Sequence, residues 1–208
     1  MTGAFGEDSR HVGIFWLLKL RELDEASAAS AFSFTPGLPV TFQRVGPDAI
    51  RSLAQVMGMI DHTPIMRRFE RGKRCYAGLL ADDIVTYGWV TFDEEGIGEL
   101  GLKARLRAGE AYIWNCATLP AYRGQHLYPA LLAHILGKLY AEGISRAWLG
   151  TDADNIPSQK GVALVGFQPI LDVGFVHSPA GNNMWIRQRP GVSEQDAMDA
   201  HRVLLGRL

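Results

Sequence analysis

Residues 111–167 read AYIWNCATLPAYRGQHLYPALLAHILGKLYAEGISRAWLGTDADNIPSQKGVALVGF, and their order decides the fold. An apolar strand, Ala111–Leu119, runs into the short turn Arg123-Gly124-Gln125, and a helix starts at once. That helix, Leu127–Leu139, carries Leu131, Leu132, Ile135, Leu136 and Leu139 at helical spacing, and Ala141-Glu142-Gly143 ends it. A second strand, Ala147–Thr151, ends in Asp-Ala-Asp-Asn, and a short helix over Pro157–Val165 closes on Gly166-Phe167. The turn feeds the free N–H groups of Gln125, His126, Leu127 and Tyr128 into a helix start, which is a place to hold phosphate. Pro129 lacks an N–H but is tolerated in a first helical turn.

Upstream, Val40–Val45 predicts a strand, Ala49–Met59 a helix, and Met66–Arg74 a basic helix end or loop. Cys75–Leu80 and Ile84–Phe92 read as a hairpin around Ala81-Asp82-Asp83. Leu100, Leu102, Ala104 and Leu106 alternate with Gly101, Lys103, Arg105 and Arg107, so that stretch reads as a strand with one basic face. Downstream, Phe167–Val176 and Asn183–Arg187 form a last strand pair, and Ser193–Leu205 a terminal helix. Residues 1–36 read as an N-terminal extension closed by Pro36-Gly37-Leu38-Pro39. Within it, Val12–Leu20 is either a strand or a buried helix turn, since periodicity does not separate the two. The fold class is α/β (α+β), a mixed sheet with helices on both faces. The expected organisation is an extension over 1–36, a domain over 37–190 and a C-terminal helix over 191–208.

The chain has 208 residues, a hydrophobic content of 47% and a formal net charge of −1. That length fits one domain with a real core, and the charge gives no bulk attraction to nucleic acid or anionic membrane. Any basic function must therefore be local. Two cysteines, Cys75 and Cys116, make neither a disulfide framework nor metal spacing and read as core thiols. The apolar run near the N-terminus falls well short of the roughly 20 residues that span a bilayer. No basic leader is visible, so a cytoplasmic location is expected.

The stretch resembles the GNAT superfamily of N-acetyltransferases, over roughly residues 40–190. The family fingerprint Q/R-x-x-G-x-G/A falls on Arg123-Gly124-Gln125-His126-Leu127-Tyr128, with the Arg kept and both later glycines replaced, by His126 and Tyr128. The match continues with Asn155-x-x-Ser158 and Gly166-Phe167. The resemblance implies a mostly antiparallel central sheet whose parallel strands splay at a bulge. It implies acetyl-CoA as cosubstrate, with no metal. Arg123 through Tyr128 would hold its diphosphate and Asn155 its pantetheine arm. Main-chain groups of Ala117 and Leu119 would pair with the pantetheine amides like an added strand, with Thr118 between them also a cofactor-binding candidate.

The family often draws a Tyr general acid from the position held here by Val162. Ser158 is the substitute for protonating the departing thiolate, or else a helix cap. The amine must lose a proton before it attacks, and the resemblance offers no Glu within Ala111–Leu119. Glu99 ranks first as base, ahead of Glu110, Asp93, Glu94, Glu95 and Asp152. Trp114 and Asn115 are expected to line the acceptor pocket. Arg105, within the stripe Lys103-Arg105-Arg107, would receive an anionic acceptor unless that stripe is a solvated face. The expected activity is acetyl transfer from acetyl-CoA to a primary amine on a small molecule. A non-catalytic acyl-CoA binder and a longer-chain N-acyltransferase on an amino acid or amino sugar are the alternatives. No nucleic-acid or membrane partner is expected, and the copy number is left open, a homodimer included.

Overall fold

The computed structural model describes residues 9–98, 101–178 and 181–206. Its elements are β1 (Ser9–Lys19), α1 (Glu25–Phe32), β2 (Thr41–Val45), α2 (Ile50–Val56) and α3 (Thr63–Glu70). They continue with β3 (Arg74–Leu80), β4 (Asp83–Thr91), β5 (Glu94–Ile97), β6 (Leu102–Arg105) and β7 (Glu110–Thr118). The last are α4 (Leu127–Ala141), β8 (Arg146–Asp152), α5 (Ile156–Leu164), β9 (Gln168–Ser178), β10 (Gly181–Gln188) and α6 (Glu194–Leu205). Eight strands form one sheet in the order β10-β9-β1-β8-β7-β4-β3-β2, and β5 with β6 forms a separate hairpin. Among the described residues the β7–β8 pair is parallel and every other pair is antiparallel.

The run that periodicity left undecided is a strand, and it lies in the middle of the sheet. β1 pairs with β8 on one side and with β9 on the other. Its side chains alternate between two cores. Ile14, Trp16 and Leu18 join the cluster under α4 and α5, while Phe15 and Leu17 join the cluster under α6. An apolar residue at every position of Ile14–Leu18 is what a strand covered on both faces requires. The stretch read as an extension thus supplies a central strand, followed by α1, which packs on α4 through Phe32 and Tyr140.

α1, α4 and α5 cover one face of the sheet, and α2, α3 and α6 the other. α4 is apolar nearly all round, because the sheet, α1 and α5 enclose it. Where a basic helix end was expected over Met66–Arg74, α3 starts earlier. Pro64 sits in its first turn, and Asp61 Oδ1 accepts the Thr63 N–H at 2.9 Å. The strand β5 had no sequence signal, since Glu94-Glu95-Gly96 lacks strand-forming residues. It forms as the partner of β6, whose Ala104 is buried against α6.

Candidate active site

The site begins where β7 and β8 part. Their parallel pairing runs from Glu110↔Arg146 to Ile113↔Leu149 and stops there. Beyond it, β7 stays with β4, whereas Gly150, Thr151 and Asp152 of β8 stay with β1. A bulge drives the divergence: Asn115 and Cys116 on β7 stand against Gly88 alone on β4. Asn115 takes a left-handed backbone at φ 46°. Gly88 is required there, because a Cβ would lie 2.7 Å from Cys116 Sγ.

Two clefts meet in this gap. The inner one, about 280 Å³, lies between Tyr112–Cys116 of β7, Leu149–Asp152 of β8 and the Gly96-Ile97-Gly98 loop. The outer one, about 590 Å³, runs from Cys116–Thr118 past Arg123, Gly124 and His126 to Pro157, Lys160 and Gly161 of α5. Cys116, Tyr128, Asn155 and Ser158 line both.

The outer cleft carries the anion-binding features. The α4 terminus has no side-chain cap, so its first-turn N–H groups have no intrahelical partner. Gly124 and His126 both adopt left-handed backbone, at φ 76° and 54°. His126 therefore stands in a conformation that glycine adopts more freely. Arg123, exposed, donates from Nε to the Thr118 carbonyl at 3.3 Å. Lys160 supplies a second cation from α5, one that sequence reasoning missed because no local motif carries it. Gln125 faces away: its carbonyl accepts the Gly37 N–H at 2.8 Å, tying the N-terminal segment to the turn. A Cβ on Gly37 would meet Gln125 Oε1 at 2.7 Å.

Main-chain groups divide differently from the expectation. The Leu119 N–H is already spent on the Val85 carbonyl at 3.0 Å, so it is not free to pair with a pantetheine amide. Thr118 lines the outer cleft, but its carbonyl accepts from Arg123 Nε. Ala117 lines the outer cleft, but its carbonyl accepts the Thr86 hydroxyl at 2.9 Å.

At the junction of the clefts, Asn155 caps α5 by accepting the Ser158 N–H at 3.1 Å. Ser158 is thus not the cap, and its hydroxyl is left to reach the Tyr128 phenol oxygen at 3.4 Å. Burial pushes the phenol pKa up and Cys116 adds to this, while the Ser158 hydrogen bond works the other way. Sequence reasoning reached Tyr128 only for its backbone N–H. A usable signal was Gly161 inside a helix, where glycine costs about 1 kcal/mol relative to alanine. A Cβ there would lie 2.8 Å from the Tyr128 ring.

The proposed bases separate on their partners. Glu110 is buried and ion-paired with Arg202. Asp93 holds Lys73 at 2.5 Å; burial alone would raise its pKa, but bonds from Lys73 and Thr91 outweigh that and keep it at about 2. Glu94 pairs with Lys103 and is held below the usual carboxylate range by that bond. Glu95 lies 3.7 Å from Lys73. Asp152 lines the inner cleft. Glu99 lies outside the described residues. Trp114 and Asn115 line the inner cleft, but Arg105 does not reach either cleft. Its side chain lies against Gly206 after α6, because the strand bearing it pairs in the separate hairpin. The Cys116 thiol is pushed up to about 12 by burial, against a backbone hydrogen bond at Trp89 that lowers it. Among the described residues no group of His, Cys, Asp and Glu is placed to hold a metal ion. No helix there is long and apolar enough to cross a membrane.

A search of curated proteins finds no match. Solved structures do match. A GNAT-family acetyltransferase from Colwellia psychrerythraea aligns with TM-score 0.53 and 13% identity over 87% of this chain and 57% of its own. A tandem GNAT protein from the clavulanic acid biosynthesis pathway aligns with TM-score 0.57 and 17% identity, over 88% of this chain and 55% of that one. The ribosomal-protein-S18-alanine N-acetyltransferase from Escherichia coli aligns with TM-score 0.51 and 14% identity, over 74% and 99%. This chain therefore spans little more than half the length of the first two. At such identities the likeness speaks for the fold. The family model described as the Acetyltransferase (GNAT) family matches residues 52–167, which hold the bulge, the turn and the α5 junction. The chain belongs to the GNAT acetyltransferase family.

Proposed function

We propose that the protein transfers an acetyl group from acetyl-CoA to a primary amine by direct attack. The observation that carries the reading is the junction itself. An uncapped helix start with Arg123 and Lys160 beside it opens into the same cleft that holds the Tyr128 phenol, Ser158 and the splayed strands. That order of features suits a long ligand with a diphosphate at one end and a thioester at the other. Arg123, Gly124, His126, Leu127 and Tyr128 would hold the diphosphate, with Asn155 and Thr118 along the arm.

Acetyl-CoA supplies an activated carbonyl. The amine nitrogen forms the new C–N bond, the C–S bond breaks, and the thiolate takes a proton. Ser158 donates to the Tyr128 oxygen, so the phenol proton is the one directed onward. We assign Tyr128 as the acid and Ser158 as its support. Burial keeps the phenol neutral and protonated at pH 7. Asp152, the described carboxylate lining the inner cleft, is assigned the base role. Glu99, which follows Gly98 of that cleft wall in the chain, is the neighbouring candidate.

Mixing the protein with acetyl-CoA and a panel of amines should release free thiol only when an acceptor is present. Tyr128→Phe should lower kcat about 10²-fold with KM for acetyl-CoA little changed, and Ser158→Ala should cost less. Thiol release that is unaffected by Tyr128→Phe removes the phenol from the mechanism. Calorimetry that finds no acetyl-CoA binding removes the whole reading.

A further inference from the structure

Beside the inner cleft stands an arginine without a carboxylate. Arg68, in the last turn of α3, is half-buried, and its guanidinium carbon lies 4.5 Å from the Trp114 ring centroid and 5.0 Å from that of Trp89. Nη1 donates to Asn115 Oδ1 at 2.8 Å. Among the described residues no carboxylate comes within ion-pairing distance of it, and Glu95, the acid that acts on it from a distance, lies 3.7 Å from Lys73. Burial pulls its pKa down, with Glu95 acting weakly the other way from a distance.

A partly desolvated guanidinium is well suited to a bidentate carboxylate or phosphate. Here two indole faces hold it by cation–π contact, and one of its five N–H donors goes to a neutral amide. Arg68 is not itself among the residues lining the inner cleft, but both residues that fix it on the β7 side, Trp114 and Asn115, are walls of that cleft, so its guanidinium stands directly beside the wall. Asn115 is also the left-handed residue of the bulge, so the fork is seated where the two strands part. The size of the cleft narrows the ligand. About 280 Å³ lies at the bottom of the range of about 300–1,000 Å³ for drug-sized ligands, which suits a small acceptor.

We infer that Arg68 is the anion-binding element of the acceptor cleft and that the acceptor is a small amine bearing a carboxylate, of the α-amino-acid class. This rests on the acetyltransferase reading for what happens to the amine, but the recognition itself requires only the cleft. The guanidinium fork takes the carboxylate and the indole of Trp114 flanks it. The amine is left to face the β8 side, where Asp152 lies.

The test is a binding titration followed by tryptophan fluorescence and calorimetry, with coenzyme A present. The ligands are the common free α-amino acids and, for each, the amine left by decarboxylation. At least one amino acid should bind about 10- to 100-fold tighter than its decarboxylated partner, the worth of a charged hydrogen-bonded pair. Arg68→Met, which keeps the stem against the indoles, should erase that ratio while leaving the amine's own affinity unchanged. Arg68→Lys should restore part of it. A wild-type ratio near one for every pair overturns the inference. So does an Arg68→Met variant, folded by its melting curve, that weakens acid and amine alike, since Arg68 would then merely brace the bulge. Selective binding without thiol release would retract the acetyl-transfer reading and leave this one standing.

Discussion

His126 and Cys116 show how single residues set the behaviour of the site. The left-handed backbone at His126 costs an L-residue about 1–2 kcal/mol, part of which glycine gives back through its freer unfolded chain. His126→Gly should therefore stabilise the protein by about 0.5–1 kcal/mol in urea unfolding. It should also tighten acetyl-CoA, because the backbone can then approach the diphosphate. A variant that is less stable would mean that the His126 contact with Phe34, 6.0 Å between ring centroids, outweighs the strain. Cys116, with its pKa at about 12, and Cys75, raised further by burial, hold negligible thiolate at pH 8. A thiol reagent should leave both unreacted in the folded protein and titrate two groups in denaturant. Prompt reaction of Cys116 in the native state would reopen a covalent role for it.

At the scale of elements, α4 carries a pH-sensitive position. His134 lies between Phe42 and Tyr76, and its Nε2 is buried with no hydrogen-bond partner among the described residues. Burial first, and then Lys138, lowers its pKa from the ordinary value. A depressed folded-state value means that the unfolded chain binds the proton more readily. This contribution to stability is complete above about pH 6.5 and is lost as pH falls below that. His134→Phe should flatten the fall in melting temperature between pH 7.5 and 5.5 relative to the wild type; parallel curves would show that the ring titrates freely. Elements were also what the sequence displayed best. α4 and β7 were legible because their apolar periods are long and their ends are punctuated by Gly124 and Gly143. β5 was not, because its strand exists only through its pairing with β6. The wall of the outer cleft was legible where its residues are consecutive, as in Arg123–Tyr128, Gln125 excepted. The site was hidden wherever distant residues meet or share a wall: Ser158 bonds Tyr128, Arg68 bonds Asn115, and Lys160 lines the same cleft as Arg123. No local pattern encodes those meetings, and Arg105 shows the converse, a conspicuous stripe that the hairpin carries away from the cleft.

For the whole molecule, α6 is fastened under the sheet by buried charge. Glu110 and Arg202 pair with side chains only 3% and 7% exposed, and Asp199 lies between Arg202 and Arg146. Removing Arg202 leaves the buried Glu110 with only Arg146 at 3.9 Å and the Arg107 N–H, a broken buried pair that costs about 3–5 kcal/mol. Arg202→Met should lower the melting temperature by roughly 6–20 °C for a chain of this size. Glu110→Leu combined with Arg202→Met should recover much of that loss, because two apolar side chains of similar volume need no partner. A double variant as unstable as the single one would place the penalty in packing rather than charge. The location of β1 has a different consequence, one for biosynthesis. The bond from Trp16 Nε1 to Thr151 spans 135 positions, and Leu17 waits still longer for Gln168. A ribosome therefore releases this greasy ribbon long before either neighbour exists, and the sheet cannot zip shut until translation has passed both. Closing so distant a contact is slow, which makes the nascent chain a natural client for chaperones. A fusion partner placed upstream of Ser9 would burden the very step on which the closing of the sheet depends.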